Sequence, residues 1–326
     1  MTDISIVIRT KNEGKTLPKT LEGIYTQKID KTFEIIIVDS GSTDDTLEIA
    51  EKFNCKILKI PPEKFTYPYA LNFGTQKAIG DIVVYISAHS PPVDDYWLYH
   101  LTKHFSDHNV AAVRGRDVPI KGINPVEEYG FLQAYPNLPN FEYIEDKTAS
   151  VYRYTNGNTA IRKSIWEKYK HPDMICYKIH PLLMGEDQIW AAYLLKKGYK
   201  IVYEPQAKVY HSHKFDPKRV WLTSYSPGYF SRELNIPAFP IDKTSKNGVI
   251  KYILFRIKLL SIYFISNKYF KAFIFDFPLS LIISKIGSYY GKKDRARDER
   301  LFNKSFKYDP DDSSDLSDNP AIPNTN

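Results

Sequence analysis

The sequence predicts an α/β protein built on a mostly parallel sheet flanked by helices. Short β-branched runs alternate with amphipathic segments over residues 4–115, the links between them are short, and polar residues follow each run. Of the 326 residues, 43% are hydrophobic, which is enough for a substantial core. This composition excludes a mainly disordered chain, a collagen-like repeat and an integral membrane bundle.

The predicted elements follow one another in strand–helix order. Strands are expected over residues 5–8, 34–38, 56–60, 82–86 and 110–114, and helices over 18–27, 44–53, 69–78 and 94–105. Residues 117–153 contain scattered Pro, Gly and aromatic residues with little periodicity, which predicts a long loop or an irregular insertion. Regular structure resumes over 156–169, followed by a helix over 187–197 and strands over 200–203 and 208–210.

The carboxyl-terminal third has a different character. Ile250, Ile253, Leu254 and Ile257 have the spacing of one helical face. Residues 285–307 then hold eight Lys or Arg against three acidic residues, a local excess of five out of a net charge of +7. A basic, aromatic-rich region of this kind favours the surface of an anionic membrane, with a packed helical subdomain or an oligomer contact as the alternatives. No nucleic-acid-binding motif accompanies these basic residues.

Targeting signals are not apparent in the sequence. The longest uncharged apolar runs, 259–267 and 277–284, are shorter than the roughly 20 residues that a membrane span needs, and no basic segment precedes the first strand. We therefore expect a cytoplasmic protein. The two cysteines, Cys55 and Cys176, cannot form a disulfide framework and are interpreted as core thiols in a reducing compartment.

Two polar loops, residues 10–14 and 39–45, follow the first two predicted strands. The carboxyl ends of parallel strands share one edge, where ligands bind. Asp39 can accept hydrogen bonds from a nucleobase or a ribose hydroxyl, whereas Ser42 and Thr43 can cap the next helix. The spacing alone leaves a nucleotide site and a simple helix start equally open. No G-x-G-x-x-G follows the first strand and no P-loop motif occurs, which argues against a dinucleotide site and excludes a P-loop.

Five motifs in order resemble those of inverting family 2 glycosyltransferases, which have the Rossmann-like GT-A fold. They are Thr10-Lys11-Asn12-Glu13 with Asp39-Ser40-Gly41-Ser42, then Ala70-Leu71-Asn72-Phe73-Gly74, Ser87-Ala88-His89, Gly185-Glu186-Asp187-Gln188 and His211-Ser212-His213. The resemblance spans about residues 4–215. It implies that Thr10, Asn12, Glu13, Asp39 and Ser42 hold the nucleoside of a sugar-nucleotide donor, with Asn72 in the same pocket. Leu71 stands where many members have Arg, so a phosphate contact is either missing or supplied elsewhere.

The motif Ser87-Ala88-His89 takes the place of the family's D-x-D, as in a rhamnosyltransferase-like subgroup. The resemblance implies that Ser87 and Ala88 contact the donor and makes rhamnose or another deoxyhexose the first candidate sugar. His89 keeps a nitrogen ligand, so a divalent metal, Mn or Mg, is compatible with the site, although imidazole suits Mn or Zn better than Mg. His211 and His213 share one face of a predicted strand. They are expected to complete a metal site with His89 or to bind the diphosphate; a pair of exposed strand histidines is the alternative.

Glu186 and Asp187 precede an apolar helix, where the helix dipole and free N–H groups favour an ionised carboxylate. The resemblance implies that Asp187 is the catalytic base and that Glu186 positions the base or the acceptor, whereas spacing alone favours simple helix capping. By the same resemblance, Asn156 and Asn158 face the acceptor, with a plain turn as the alternative. Trp190 is expected either to stack on a sugar or to lie in the core.

The resemblance predicts an inverting hexosyltransferase that moves a sugar from a nucleoside-diphosphate sugar to a hydroxyl of a lipid-linked bacterial surface glycan. We expect a GT-A catalytic domain over 1–240, divided into a donor-binding half (about 1–115) and an acceptor-side half (about 116–240). A helical region that associates with the membrane or oligomerises would cover 241–308, and a disordered acidic tail 309–326. Such a protein would lie at the inner face of the cell membrane and bind no nucleic acid. A non-catalytic sugar-nucleotide-binding or scaffolding relative is the alternative, and a nucleotidyltransferase would need a Gly-rich basic loop that residues 10–14 do not provide.

Overall fold

The computed structural model of the chain describes residues 2–145, 151, 153–172, 185–213, 216–218, 220, 221, 223 and 276–302. Eight strands of this part form one mixed sheet in the order β3-β2-β1-β4-β7-β5-β8-β6. They are β1 (Ile4–Thr10), β2 (Phe33–Asp39), β3 (Lys56–Lys59), β4 (Ile82–Ser87), β5 (Val110–Val118), β6 (Glu142–Ile144), β7 (Asn158–Arg162) and β8 (Lys200–Tyr210).

Helices connect most of these strands. They are α1 (Leu17–Tyr25), α2 (Thr46–Lys52), α3 (Tyr67–Lys77), α4 (Trp97–Thr102), α5 (Pro125–Ala134), α6 (Lys163–Lys168), α7 (Glu186–Lys196) and α8 (Phe277–Phe302), with short 3-10 turns at Pro62–Lys64 and Lys103–Ser106. Through residue 106, every predicted strand and helix is present. Their ends differ from the prediction by at most three residues.

The mostly parallel sheet is confirmed, and β7 and β6 are its two antiparallel strands. β7 lies between β4 and β5 and runs antiparallel to both, and β6 runs antiparallel along β8. The carboxyl ends of β1, β2, β4, β5 and β8 therefore reach the same edge of the sheet.

The sheet is buried on both faces because its central strands are almost wholly apolar. Ile6, Val7 and Ile8 of β1 are fully buried, with Val7 in one apolar layer and Ile6 and Ile8 in the other. Each such side chain stabilises the fold by roughly 1.5–3 kcal/mol. Gly74 lets α3 lie close to β1, since a Cβ at this position would come within 2.5 Å of Cγ1 of Val7. The packing on both faces of the sheet therefore fixes the positions of the strand ends.

Residues 117–153 are more regular than predicted, because they contain the end of β5, helix α5 and strand β6. Asn124 caps α5 by accepting a hydrogen bond from the N–H of Val126 at 2.8 Å, and Pro125 occupies the first helical position. None of the ten residues of α5 is buried, so no apolar stripe marks this helix in the sequence. The prediction of an irregular insertion was therefore wrong for α5 and β6.

β8 is one strand of 11 residues where two short strands were predicted. Its pairing with β5 shifts register between Gly115, opposite Glu204, and Arg116, opposite Lys208. A bulge of this kind accommodates Pro205, which lacks an N–H for the ladder. The irregularity explains why the sequence pattern was interrupted.

The helical carboxyl-terminal extension is confirmed for residues 277–302. Nδ2 of Asn124 donates a hydrogen bond to Oδ2 of Asp276 at 2.9 Å, which ties the start of α8 to the start of α5. Within the described ranges, no helix combines the length and the apolar character needed to cross a bilayer. The helical pattern around Ile250 and the predicted acidic tail from residue 309 lie outside the described residues.

Candidate active site

A cavity of about 700 Å³ opens at the carboxyl edge of the sheet. Its walls come from the ends of β1, β4 and β5, from the first residues of α7 and from the residues that follow β8. The predicted site residues that line it are Thr10, Glu13, Ser87, Ala88, His89, Asn156, Glu186, Asp187, His211 and His213. Its volume is typical of a small-molecule site.

The carboxylate of Asp39 joins the two polar loops beside this cavity. Its Oδ1 accepts hydrogen bonds from the hydroxyls of Thr10 at 3.2 Å and Ser42 at 2.5 Å. Its Oδ2 accepts hydrogen bonds from the N–H groups of Gly41 at 2.9 Å and Ser42 at 3.0 Å. The structure therefore brings Thr10, Asp39 and Ser42 together, and Asp39 is only 2% exposed.

Asn12 joins the same loops with a left-handed backbone φ of +57°, which Asn tolerates better than most residues. Its Oδ1 accepts a hydrogen bond from the N–H of Thr43 at 2.8 Å, and its own N–H donates to Oγ of Ser42 at 2.9 Å. The side chain of Asp44 accepts a hydrogen bond from the N–H of Thr46, the first residue of α2, at 3.1 Å. The prediction that Ser42 or Thr43 caps this helix was therefore wrong.

The carboxylate of Glu13 is engaged by two neighbours. Its Oε1 lies 3.0 Å from Nδ1 of His89, and its Oε2 accepts a hydrogen bond from the hydroxyl of Thr16 at 2.5 Å. Burial would raise the pKa of Glu13, but the hydrogen bonds from His89 and Thr16 hold it below its ordinary value. Glu13 thus orients the ring of His89, a contact that its place in the nucleotide motif did not indicate.

His89, His211 and His213 form a three-histidine cluster at the cavity, in which one nitrogen from each ring lies within 4.8 Å of the others. His89 follows β4, and the other two follow β8, which ends at Tyr210. The prediction that His211 and His213 lie on a strand was therefore wrong. Their ring centres are nevertheless 4.7 Å apart. Three imidazoles at this spacing are a donor set for a transition metal.

Two rings of the three-histidine cluster are held through Nδ1 by a carboxylate. Glu13 holds His89, and Oδ2 of Asp117 lies 3.1 Å from Nδ1 of His211. Nε2 of each of these rings is buried and has no hydrogen-bond partner among the described residues. Metal-ligating histidines are held in this way, with a carboxylate on one nitrogen and the metal on the other. The residues present therefore fit a metal ion.

A buried ion pair lies behind His211, where Nη2 of Arg114 donates to Oδ2 of Asp117 at 2.7 Å. Burial would raise the pKa of Asp117, but the charge of Arg114 and the hydrogen bond from His211 hold it well below its ordinary value. The carboxylate is therefore ionised. Asp117 was missed because the fifth strand was predicted to end at residue 114; its place at the carboxyl end of the longer strand is the signal that marks it.

Ser87 and Ala88 lie at the cavity, and their backbone is tied down on both sides. The N–H of Ser87 donates to the carbonyl of Gly157 at 3.1 Å, and the carbonyl of Ala88 accepts a hydrogen bond from the hydroxyl of Thr20 at 2.8 Å. The place where His89 leaves the sheet is fixed by these contacts.

Glu186 and Asp187 begin α7 and lie side by side at the cavity. Gly185 precedes them with a φ of +129°, which side-chain-bearing residues rarely adopt. Oδ1 of Asp187 accepts a hydrogen bond from the N–H of Gln188 at 2.9 Å, and Oδ2 accepts one from the N–H of Asn156 at 3.3 Å. Oε2 of Glu186 accepts a hydrogen bond from the N–H of Gly185 at 3.0 Å. These backbone contacts fix both carboxylates.

Burial changes the expected ionisation of this pair. It raises the pKa of Asp187, and it raises the pKa of Glu186 further because the charge of Asp187 is adjacent. Hydrogen bonds from backbone N–H groups at the start of α7 lower the pKa of both carboxyls, but burial raises it by more. The prediction that the helix start keeps a carboxylate ionised does not agree with Glu186, whose pKa burial and the adjacent charge of Asp187 raise. Instead, the pair can hold a proton near neutral pH, with Glu186 the more readily protonated member.

Asn156 lines the cavity next to Asp187 and is only 4% exposed. Both polar atoms of its amide lack a hydrogen-bond partner within the described part of the chain. Buried amides are rarely left unpaired. This side chain is therefore available to the hydroxyl groups of a ligand.

Asn158 and Trp190 are fully buried and do not line the cavity. Oδ1 of Asn158 accepts a hydrogen bond from Nε1 of Trp97 at 2.8 Å, and its Nδ2 donates to the carbonyl of Ala207 at 3.0 Å. Nε1 of Trp190 donates to the carbonyl of Tyr169 at 2.6 Å. The position of Asn158 does not agree with the predicted acceptor contact, and for Trp190 the alternative, a place in the core, is confirmed.

Asn72 also lies away from the cavity lining. Its Nδ2 donates to the carbonyl of His171 at 2.9 Å, and its Oδ1 accepts hydrogen bonds from Nε1 of Trp166 at 2.9 Å and from the N–H of His171 at 3.2 Å. Its amide therefore ties α3 to α6 and to the segment after α6, and the predicted place in the donor pocket does not agree with this position.

Arg9 lines the cavity although no motif pointed to it. It is the penultimate residue of β1 and lies opposite Val38 of β2 and Ser87 of β4. A charged residue that ends a run of buried apolar residues is the signal that marks it.

Comparisons with known proteins place the chain in a family. The model of Glycosyl transferase family 2 matches residues 5–170, which is just over half of the chain. An O-antigen chain rhamnosyltransferase of Salmonella typhimurium is 29% identical over 237 residues, which cover 70% of this chain and 72% of that protein. An O-antigen chain rhamnosyltransferase of Salmonella anatum is 27% identical over 71% of this chain and 72% of its own.

Solved structures of glycosyltransferases have the same fold. A mannosyltransferase of Pyrobaculum calidifontis, in complex with GDP-Man and Mn2+, matches with a TM-score of 0.55 over 93% of this chain and 88% of its own, at 15% identity. TarS of Staphylococcus aureus matches with a TM-score of 0.51 over 70% of this chain and 39% of its own, at 18% identity. The chain therefore has the GT-A fold, and it belongs to glycosyl transferase family 2.

Proposed function

We propose that this glycosyltransferase moves a sugar from a nucleoside-diphosphate sugar to a hydroxyl of a bacterial surface glycan and inverts the anomeric centre. Rhamnose is the first candidate sugar. The observation that carries the proposal is that Asp187 and the three-histidine cluster line one cavity. A base for the acceptor and groups suited to a diphosphate thus share one space. The similarity to O-antigen chain rhamnosyltransferases supports the choice of sugar and glycan.

The nucleoside of the donor would lie against the two loops that Asp39 joins. A carboxylate can accept about four hydrogen bonds. Asp39 already accepts four from hydroxyl and N–H groups within the two loops. We therefore infer that Asp39, together with Asn12 and Ser42, shapes the loops. Thr10 and Ser40, which line the cavity, would provide the contact surface.

The three-histidine cluster would hold a divalent metal, Mn or Zn in preference to Mg. His89 and His211 would ligate through Nε2, because their Nδ1 atoms face Glu13 and Asp117. When bound, the metal would supply positive charge to the diphosphate of the donor as a Lewis acid. The Pyrobaculum calidifontis structure is a complex with GDP-Man and Mn2+, which is consistent with this assignment.

Asp187 would accept the proton of the acceptor hydroxyl as the sugar is transferred. Burial makes it a stronger base than an exposed aspartate, since it raises the pKa of this carboxyl. Glu186, whose pKa burial raises further, would stay protonated and hold the position of its neighbour. The unpartnered amide of Asn156 would bind a hydroxyl of the acceptor. Attack from this side, opposite the diphosphate, inverts the anomeric centre.

The acceptor is proposed to be lipid-linked, so that the protein works at the inner face of the cell membrane. The described part of α8 has an exposed apolar stripe with helical spacing, which consists of Leu279, Ile282, Ile286, Tyr289 and Tyr290. Lys285 is exposed on the same helix, and Nζ of Lys293 lies 5.8 Å from the ring centre of Tyr290. Apolar and aromatic side chains beside cations suit an anionic bilayer surface. Contact with a second copy of the chain is the alternative.

The replacement Asp187→Asn tests the catalytic proposal. The variant should bind a panel of nucleoside diphosphates and their sugars with wild-type thermal shifts, and lose sugar transfer by on the order of a thousandfold. Asp95→Asn, which changes a surface ion pair with Lys28, is the matched control. Near-wild-type turnover by Asp187→Asn would refute the role of the base. Wild-type protein that binds the donor but neither hydrolyses nor transfers its sugar would be the non-catalytic relative.

A further inference from the structure

Arg9 lies at the carboxyl end of the central strand β1 and lines the same cavity as Glu186 and Asp187. Its backbone is held on both sides by the pairing with β2 and β4. Among the described residues, no carboxylate forms an ion pair with its guanidinium. A half-buried cation without an ion-pair partner in a cavity is unusual and needs an explanation.

Tyr67, the first residue of α3, holds the side chain of Arg9 in place. Cζ of Arg9 lies 4.8 Å from the centre of the Tyr67 ring, and its Nη1 lies 3.4 Å from the Tyr67 carbonyl. Stacking on an aromatic ring fixes the position of the charge. Within the described part of the chain, it also leaves most of the five guanidinium N–H donors without a partner.

The other ionisable groups near the acid pair carry little net charge. Burial raises the pKa of Tyr85 in β4 and of Tyr154 before β7, and it lowers the pKa of His171 after α6, so all three are neutral near pH 7. Arg114 and Asp117 neutralise each other. Of the residues that the structure describes, Lys11 and the three-histidine cluster are the remaining basic groups that line the cavity.

Two carboxyl groups enclosed side by side resist ionisation, because burial and their mutual repulsion both favour the protonated form. A fixed positive charge nearby opposes both effects. Arg9 is the cation whose charge acts on both Glu186 and Asp187 against burial. Its place in the cavity and its contact with Tyr67 keep that charge at a constant position.

We propose that Arg9 is a positioning residue for the acid pair, and that its charge, held by Tyr67, keeps Asp187 ionised so that it can accept a proton. The inference rests on the proposed function for the role of Asp187 as the base. The effect of the charge of Arg9 on the ionisation of the acid pair does not depend on that role. The competing role for Arg9 is direct contact with the diphosphate of the donor.

The charge relation is tested without substrate, by thermal unfolding of the full-length protein at pH 5 and pH 8. A buried carboxyl with a raised pKa contributes stability at low pH that is lost as the pH rises through the folded-state value. Arg9→Gln should enlarge this loss by a few degrees in Tm. Arg9→Lys and the exposed control Lys19→Gln should keep the wild-type loss.

The same comparison in a Glu186→Gln/Asp187→Asn background identifies the groups involved. There, replacement of Arg9 should no longer alter the pH dependence. This result separates the acid pair from His171, whose ring Arg9 also influences. An equal loss of Tm between pH 5 and pH 8 in Arg9→Gln and the wild type would overturn the proposal. If Arg9→Gln does not fold, Arg9→Met keeps a side chain over Tyr67 and serves the same test.

Turnover of a nucleoside-diphosphate rhamnose gives the second measurement. In Arg9→Gln the acid limb of the kcat profile should move up by about one pH unit, and Arg9→Lys should restore it. A fall in donor affinity with an unmoved acid limb would overturn the proposal and assign Arg9 to the diphosphate. Wild-type protein without turnover would refute the proposed function but leave the unfolding result valid.

Discussion

Nδ1 of His211 lies 3.1 Å from Oδ2 of Asp117, and this contact decides which nitrogen of the ring faces the cavity. Because Asp117 is ionised, Nδ1 of His211 donates to it, and Nε2 is the ring nitrogen left without a partner in the described structure. Glu13 has the same relation to His89 at 3.0 Å. The two supporting carboxylates differ in depth, since the side chain of Asp117 is 2% exposed and that of Glu13 is 24% exposed.

His89→Ala should weaken the binding of Mn at least tenfold, because it removes one of the three nitrogen ligands of the three-histidine cluster. The measurement is a titration of Mn in the presence and absence of a nucleoside diphosphate. His108→Ala, which replaces an exposed histidine outside the cavity, is the control. Equal Mn and diphosphate binding in His89→Ala and the wild type would refute the metal role of the three-histidine cluster.

Asp117→Asn should destabilise the fold by about 3–5 kcal/mol, because it leaves the fully buried guanidinium of Arg114 without a counter-charge. Denaturant unfolding measures this loss. Replacing both partners, with Arg114→Met and Asp117→Leu, should recover part of the stability without restoring the binding of Mn. A loss below about 1 kcal/mol in Asp117→Asn would show that the pair is not enclosed as described.

Glu186→Gln should raise Tm at pH 8 more than at pH 5. Burial raises the pKa of Glu186, so the folded protein binds a proton that the unfolded chain has already released. The stability from this group is fully present below the pKa of the unfolded state and is lost as the pH rises through the folded-state value. Gln removes that loss. The exposed Glu22→Gln is the control, and an equal change in Tm at both pH values would contradict the prediction.

Asn156→Ala and Asn158→Ala should affect different properties, activity and stability, although the two residues belong to one motif. Asn156→Ala should reduce kcat/KM by roughly 5–100-fold with little change in Tm, since its amide has no partner in the described protein. Asn158→Ala should lower stability, by about 1–3 kcal/mol, because it leaves the indole N–H of Trp97 and the carbonyl of Ala207 unpaired. Steady-state kinetics and denaturant unfolding of both variants provide the comparison.

Replacement of both Ile282 and Ile286 by Ser should reduce binding to vesicles that contain phosphatidylglycerol, because these side chains are 56% and 45% exposed on α8. Binding should also weaken with salt, since lysines accompany the stripe. Ile79→Ser, which changes a 64% exposed isoleucine elsewhere, is the control. Unchanged vesicle binding in the double variant, with a monomer replacing a dimer in sedimentation, would favour a contact between copies.

The sheet could be predicted because β1, β2 and β4 are continuous apolar runs bounded by polar loops. The meeting of His89 with His211 and His213 was expected only from the resemblance of the motifs, and the three rings do lie together. The difference between Asn156 and Asn158 could not be predicted. It depends on Trp97, which lies 61 residues before Asn158 in the chain and binds its amide.

The ionisation of Glu186 could not be predicted either. The sequence shows its place at a helix start, which favours the anion, but not the enclosure that raises its pKa. α5 escaped prediction for a related reason, because a helix without buried residues has no apolar period. The local sequence pattern predicts a feature correctly where that pattern itself determines burial. It fails where segments distant in the sequence create the burial.

The position of β7 constrains the order in which the protein can be assembled during synthesis. β4 and β5 are separated by only 22 residues in sequence, yet both pair with β7, and β5 otherwise pairs with β8. While the ribosome has delivered only the first 157 residues, the edge of β4 is open and β5 has no neighbour in its native place. Open strand edges are prone to wrong pairing. The nascent chain is therefore most vulnerable to aggregation shortly before β7 emerges. A truncated product that ends there would lack the pairings of β7 with β4 and β5 and those of β8 with β5 and β6.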